Sequence, residues 1–196
     1  MKILICTTNN GKVKEFKHKL LTDEIKTLRD ENIFIEIEEN GQTFEENAFI
    51  KLNTILDKFP ELKFKFNLII AEDSGLCVDA LNGEPGIYSA RYCGEHGNDK
   101  SNNLKLLSAL NGIIERNAHY CATIVAWFDE QKYTFVGKME GTIAFAESGG
   151  NGFGYDPLFI PKGYHQTLGN LDEELKLKIS HRSKAIDEML KVLNNS

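Results

Sequence analysis

"FNLIIAEDSGLCVDAL", residues 66–81, runs four apolar residues, Leu68 to Ala71, straight into two acids, Glu72 and Asp73, and then into Ser74-Gly75. A short continuous apolar run of this kind reads as a strand buried on both faces, the habit of sheets with helices on either side. The acids are then expected where that strand reaches the sheet edge, and strand ends are where α/β folds place their chemistry. Taken alone, Asp73-Ser74-Gly75 reads first as an ordinary turn, because all three residue types form turns. The segments on either side have to decide.

Upstream, "KILICT" (2–7) predicts a buried strand, "TNNG" a polar turn, and "KVKEFKHKLL" a helix with Val13, Phe16 and Leu20 on one face. "IFIEIEE" (33–39) alternates and predicts a second strand. Thr43 and Glu46 then have capping-box spacing at the mouth of a long helix, whose stripe is Ala48, Leu52, Ile55, Leu56 and Phe59. On another face of that helix Asn47 and Lys51 stand four residues apart. Downstream, "NGEPGIYSARYCGEHG" (82–97) is irregular, and Leu104, Leu107 and Leu110 mark a helix. "HYCATIVAWF" and "KYTFVGKMEGTIAF" form a hairpin about "DEQ", its second arm open to a break at Gly137 or Gly141. A glycine-rich loop follows, and Ala185, Met189 and Leu193 close the chain as a helix entered at Ser180 or His181. Strands mixed with helices, one long hairpin among them, predict an α/β or α+β protein with a mixed sheet.

The balance of 23 Lys+Arg against 29 Asp+Glu, with no long basic run, argues against a surface that coats nucleic acid. The apolar start after Lys2 is too short for a signal segment or membrane span, so the expectation is a cytoplasmic protein, one domain over 1–196. Cys6, Cys77, Cys93 and Cys121 show no paired spacing, which favours reduced thiols over a zinc site or disulfide framework.

Four polar clusters carry the chemistry. "TTNNGK" (7–12) offers backbone N–H groups, a helix N-terminus and Lys12 to an anion, although without Walker spacing it reads as well as a solvated turn. Glu38-Glu39 ends one predicted strand as Glu72-Asp73 ends another, and two acidic strand ends can share a hard divalent cation. "GGNGFGYDP" (149–157) combines permissive glycines with the flat faces of Phe153 and Tyr155; a plain hairpin loop is the alternative. "KISHRSK" (178–184) sets His181 beside Arg182, both donors, where Ser180 also suits a cap.

Taken in order, "TTNNGK", "TFEENAFIK", "AEDSGL", "GEPGIYSARY", "GFGYDPLF" and "SHRSKA" resemble the signature segments of the inosine triphosphate pyrophosphatase family, from about residue 3 to 190. The resemblance is closest to the bacterial dITP/XTP members. It implies an α/β fold with a central mixed twisted sheet flanked by helices, two lobes around a substrate cleft, and a homodimer. It also implies magnesium-dependent (Mg2+) hydrolysis of ITP, dITP or XTP to the monophosphate and pyrophosphate. Carried over residue by residue, Thr7, Thr8, Asn9, Asn10, Gly11 and Lys12 would hold the triphosphate, with Lys51 pairing phosphate and Ser74 contacting substrate. Glu38 would ligate the metal, and Asp73 would be base and ligand. Phe153, Gly154, Tyr155 and Asp156 would line the nucleoside pocket, completed by Lys176, His181 and Arg182. Glu72 stands where those bacterial members usually carry Asp. Hypoxanthine and xanthine present a 6-carbonyl acceptor, so donors from His181, Arg182 or nearby backbone would disfavour adenine, whose 6-amino group would meet them donor to donor. Two alternatives remain: a septum-inhibition-type pyrophosphatase for pyrimidine or modified nucleotides, and a nucleotide-binding module without catalysis.

Overall fold

The computed structural model describes residues 1–21 and 24–194. In chain order the elements are β1 (Ile3–Ile5), α1 (Asn10–Leu20), β2 (Ile25–Thr27), α2 (Phe44–Lys58), α3 (Leu62–Lys65), β3 (Leu68–Val78), α4 (Asp99–Ala109), β4 (Asn117–Phe128), β5 (Gln131–Ile143), β6 (Phe159–Pro161), α5 (Glu173–Ile179) and α6 (His181–Leu193). Short 3₁₀ turns lie at Asp79–Leu81 and Gly86–Arg91. One mixed sheet has the order β2-β1-β3-β4-β5-β6. Its β2-β1-β3 part is parallel, with Ile3 opposite both Ile25 and Leu68, and β6 runs antiparallel to β5.

The chain divides into two compact units. The first comprises Met1–Asp73, Ala122–Gly137 and Arg182–Ser196, so that β3, β4 and β5 each begin in one unit and end in the other. In this unit the alternation of β1 decides which residue serves which face. Ile3 and Ile5 pack with Leu68, Ile70 and Ile124 against Phe16 and Leu20 of α1 and Ala185, Ile186 and Met189 of α6. Leu4, Ile69, Ala71 and Val125 pack on the opposite face against Ala48, Leu52, Ile55 and Leu56 of α2. Each Leu or Ile so buried contributes roughly 1.5–3 kcal/mol. The second unit, Ser74–Cys121 with Lys138–His181, gathers Leu76, Val78, Tyr120, Met139 and Phe159 around Leu106 and Leu110 at the C-terminal end of α4.

Three expectations are corrected. The segment 33–39 is not a strand: Ile33 is buried beside Leu28, but the place next to β1 is taken by Ile25–Thr27. Glu72 and Asp73 do not end a strand either, because β3 continues through them to Val78 and both acids are buried in mid-strand. The hairpin closes on Asp129-Glu130 alone, both at positive φ (47° and 58°), the two-residue geometry that matches strand twist, and β5 continues through Gly137 and Gly141. The capping box holds: Thr43 Oγ1 accepts the Glu46 N–H at 3.1 Å and Glu46 Oε2 accepts the Gln42 N–H at 2.6 Å. Among the described residues no helix is long and apolar enough to cross a membrane.

Candidate active site

In the first unit, α1 begins where the polar turn ends. Thr7 Oγ1 accepts the Asn9 N–H, and Asn9, the N-cap, accepts the Lys12 N–H at 3.1 Å. Thr8, Asn9 and Asn10 are exposed, so this helix N-terminus with its partial positive charge faces solvent. Lys12 lies one turn in, and its Nζ meets Glu72 Oε2 at 2.7 Å. The other Glu72 oxygen, Oε1, accepts from Arg182 Nη2 at 3.0 Å and Nε at 3.2 Å, while Arg182 Nη1 reaches Glu15 Oε1 at 2.7 Å. Burial alone would raise the Glu72 pKa, but Arg182 and Lys12 outweigh it and hold this carboxyl well below the ordinary range. Burial lowers the Lys12 pKa despite Glu72.

Asp73, the next residue, meets a different set of partners. Asn47 Oδ1 accepts the Gly41 N–H at 2.9 Å, which leaves Asn47 Nδ2 to donate to Asp73 Oδ2 at 3.1 Å. Gly41 permits this approach, since a Cβ there would lie 2.7 Å from Asn47 Oδ1. One turn along α2 from Asn47, Lys51 Nζ is 2.9 Å from Glu39 Oε2, 3.6 Å from Asp73 Oδ1 and 3.0 Å from the Glu72 carbonyl. Burial would lower the Lys51 pKa, yet Asp73 and Glu39 hold it above its ordinary value. The acid that reaches this lysine is therefore Glu39; Glu38, the expected ligand, is exposed on the same segment.

These distances allow a fit test for a divalent metal. Glu39 and Asp73 converge on one cationic group, Lys51, so two hard carboxylate oxygens already share a cation position. Around it, Lys12, Lys51 and Arg182 face Glu15, Glu39, Glu72 and Asp73, which leaves one negative charge in excess among these residues. No group of three or more His, Cys, Asp or Glu forms a metal cage among the described residues. Two carboxylates without a closed cage suit a hard divalent cation that keeps its other positions for water or a ligand.

In the second unit the loop 149–157 is ordered by its own acid. Asp156, buried, accepts the Phe153 N–H at 2.9 Å and pairs with Lys176 from α5, whose Nζ also stands 4.6 Å over the Phe153 ring. Gly152 is required here: at φ +83° a Cβ would lie 2.0 Å from Asp156 Oδ2. Tyr155 is buried and donates its hydroxyl to the Ser89 carbonyl at 2.7 Å. Phe153 is left 37% exposed, the flat face of this group. His181 stacks on Tyr120, centroids 4.8 Å apart and 9° from parallel, and the Tyr120 hydroxyl is hydrogen-bonded to the Tyr155 backbone. Ser74 is half-buried at the start of this unit.

His181 and Arg182, adjacent in sequence, thus serve different surroundings: the imidazole lies against Tyr120, the guanidinium against Glu15 and Glu72. Sequence reasoning missed Glu15, Asp99 and Asn103. Glu15 carried one available signal, since it precedes Phe16 on the apolar side of α1 yet is charged. Asp99 and Asn103 of α4, which hydrogen-bond the Gly154 backbone, carried none, because that partner lies 55 and 51 residues away in the chain.

The model of the Ham1 family matches residues 3–192. A protein of Aliarcobacter butzleri named dITP/XTP pyrophosphatase is 45% identical over 195 residues, covering 98% of each chain. Among solved structures, the Staphylococcus aureus Ham1 protein superposes with a TM-score of 0.87 at 38% identity, covering 100% of this chain and 99% of its own. A nucleoside-triphosphatase, dITP/XTP pyrophosphatase, of Mycobacterium abscessus does so at 0.77 and 36%, covering 97% of this chain and 99% of its own.

Proposed function

The chain belongs to the Ham1 family, and from that membership we propose that it hydrolyses noncanonical purine nucleoside triphosphates (dITP, XTP and ITP) to the monophosphate and pyrophosphate. The observation that carries this reading is Asp73: a buried carboxylate fixed by Asn47, beside Lys51, in a cluster that holds three cations. Thr7 to Lys12 and Lys51 take the phosphates. Burial costs Lys12 part of its charge stability, and phosphate oxygens arriving beside it restore that stability, so the site gains from binding an anion. Glu72 acts through Lys12 and Arg182, holding both in place.

Asp73 and Glu39 would hold magnesium, which when bound supplies charge neutralisation and a water of lowered pKa. Asp73 Oδ1 accepts a proton from the attacking water, while Asn47 keeps Oδ2 oriented. Lys12 and Lys51 stabilise the charge that gathers on departing pyrophosphate, so positioning and electrostatics carry the reaction. Phe153 offers a face to the base, and Asp156, Lys176 and His181 set the polar edge beside it. We read residues 1–196 as one catalytic domain working as a homodimer in the cytoplasm.

The test is pyrophosphate release from ITP, dITP, XTP, ATP, GTP, CTP and UTP, with magnesium and with chelator. Magnesium-dependent release from ITP, dITP and XTP with little from ATP is expected; turnover of CTP or UTP instead would favour the septum-inhibition-type alternative.

A further inference from the structure

The loop that carries Phe153 is held from outside by α4, and it is held at one residue. Gly154 donates its N–H to Asp99 Oδ2 at 2.8 Å, and its carbonyl accepts from Asn103 Nδ2 at 3.2 Å. Asp99 and Asn103 are four residues apart, one turn of α4, so a single helix face grips both polar groups of one peptide residue. The rest of the buried side of α4 is different in kind: Leu106 is apolar core, and Asn102 accepts the Cys93 N–H.

Asn103 is 3% exposed, and its Oδ1 is buried with no hydrogen-bond partner among the described residues. A buried amide with half its capacity unmet is costly, and a leucine of similar volume would avoid that cost. Among the described residues Asn103 Nδ2 makes one hydrogen bond, to the Gly154 carbonyl. Gly154 stands between Phe153, partly exposed over Lys176, and Tyr155, buried and tied to Ser89. It is the point at which the exposed ring joins the fixed frame.

We propose that Asp99 and Asn103 are positioning residues that set the place of Phe153 for the purine base, and that they govern nucleotide affinity and base selectivity rather than phosphoanhydride cleavage. This rests on the reading of Phe153 as a nucleoside contact given above.

The experiment compares the unchanged chain with Asp99→Ala, Asp99→Asn and Asn103→Leu, each first shown to melt cooperatively. KM and kcat are measured with XTP and dITP, the inhibition constant with inorganic tripolyphosphate, and amide exchange over residues 149–158. Losing a charge-assisted bond is expected to raise KM about tenfold in Asp99→Ala. The tripolyphosphate constant and kcat stay near those of the unchanged chain, and Asp99→Asn, which keeps an acceptor oxygen, recovers most of the KM. Loop exchange accelerates in Asp99→Ala and Asn103→Leu. Equal rises in KM and in the tripolyphosphate constant would overturn the inference, because a general loss of structure predicts them. Unchanged loop exchange would overturn it whatever the enzyme turns over, whereas an unchanged chain that cleaves neither XTP nor dITP would sink the functional reading and, with it, the role in base binding.

Discussion

Asp73 and Glu72 are neighbours of the same chemical type with opposite assignments, and the difference lies in what surrounds each carboxylate. Both Glu72 oxygens are engaged by cations, Oε1 by Arg182 and Oε2 by Lys12, so it serves as a counter-ion. Asp73 receives a neutral amide at Oδ2 and keeps Lys51 at 3.6 Å, a distance longer than a hydrogen bond, from Oδ1. Asp73→Asn removes proton-accepting capacity and leaves volume nearly unchanged. Turnover of dITP is expected to fall by about 10²- to 10⁴-fold with the melting temperature held, as read by pyrophosphate release and thermal unfolding. Activity near that of the unchanged chain would take Asp73 out of the mechanism.

Among the elements, the glycine-rich loop gives the sharpest single-atom test. At Gly152 a methyl would meet Asp156 Oδ2 at 2.0 Å and Lys176 Nζ at 2.9 Å with φ already positive, whereas at Gly150 it would meet nothing within 4 Å. Gly152→Ala is therefore expected to destabilise by about 1–3 kcal/mol and to raise KM for dITP, with Gly150→Ala near neutral in both melting and kinetics. That loop was legible as a cluster because glycines and aromatics are local signals. The capping box of α2 and the apolar stripes of α2 and α6 were legible for the same reason. The strand expected over 33–39 failed because the alternation of Ile33, Ile35 and Ile37 serves packing against the α2 side of the core without pairing, and the place beside β1 is taken by Ile25–Thr27. The early end assigned to β3 failed for a related reason. Two charges looked unable to lie in mid-strand, but Arg182 supplies a partner 110 residues away that no local window contains.

For the whole molecule, that same partner ties stability to acidity. The Glu72 pKa in the folded protein lies below its ordinary 4.5, so its contribution is fully present above that value and is lost as pH falls below it. Denaturant midpoints measured from pH 7 down to 3 should show the loss, at up to about 1.4 kcal/mol per pH unit from this one group. Glu72→Gln should cost about 3–5 kcal/mol at pH 7 by leaving Arg182 and Lys12 short of an anion, and should flatten the acid limb. An unchanged acid limb in that variant would move the origin of the acid sensitivity elsewhere.

The order in which these charges are made also matters. Glu15 and Glu72 leave the ribosome early, whereas Arg182 follows Glu15 by 167 residues and Glu72 by 110. Through much of synthesis both acids lack the guanidinium they share, although Lys12 is already there for Glu72, and α6, which closes one face of the first unit, has not yet been made. A nascent chain stalled before Arg182 would hold Glu15 without its ion-pair partner and Glu72 with Lys12 alone. Its first unit would stay open to proteases and chaperones until the whole of α6 is made and free to pack.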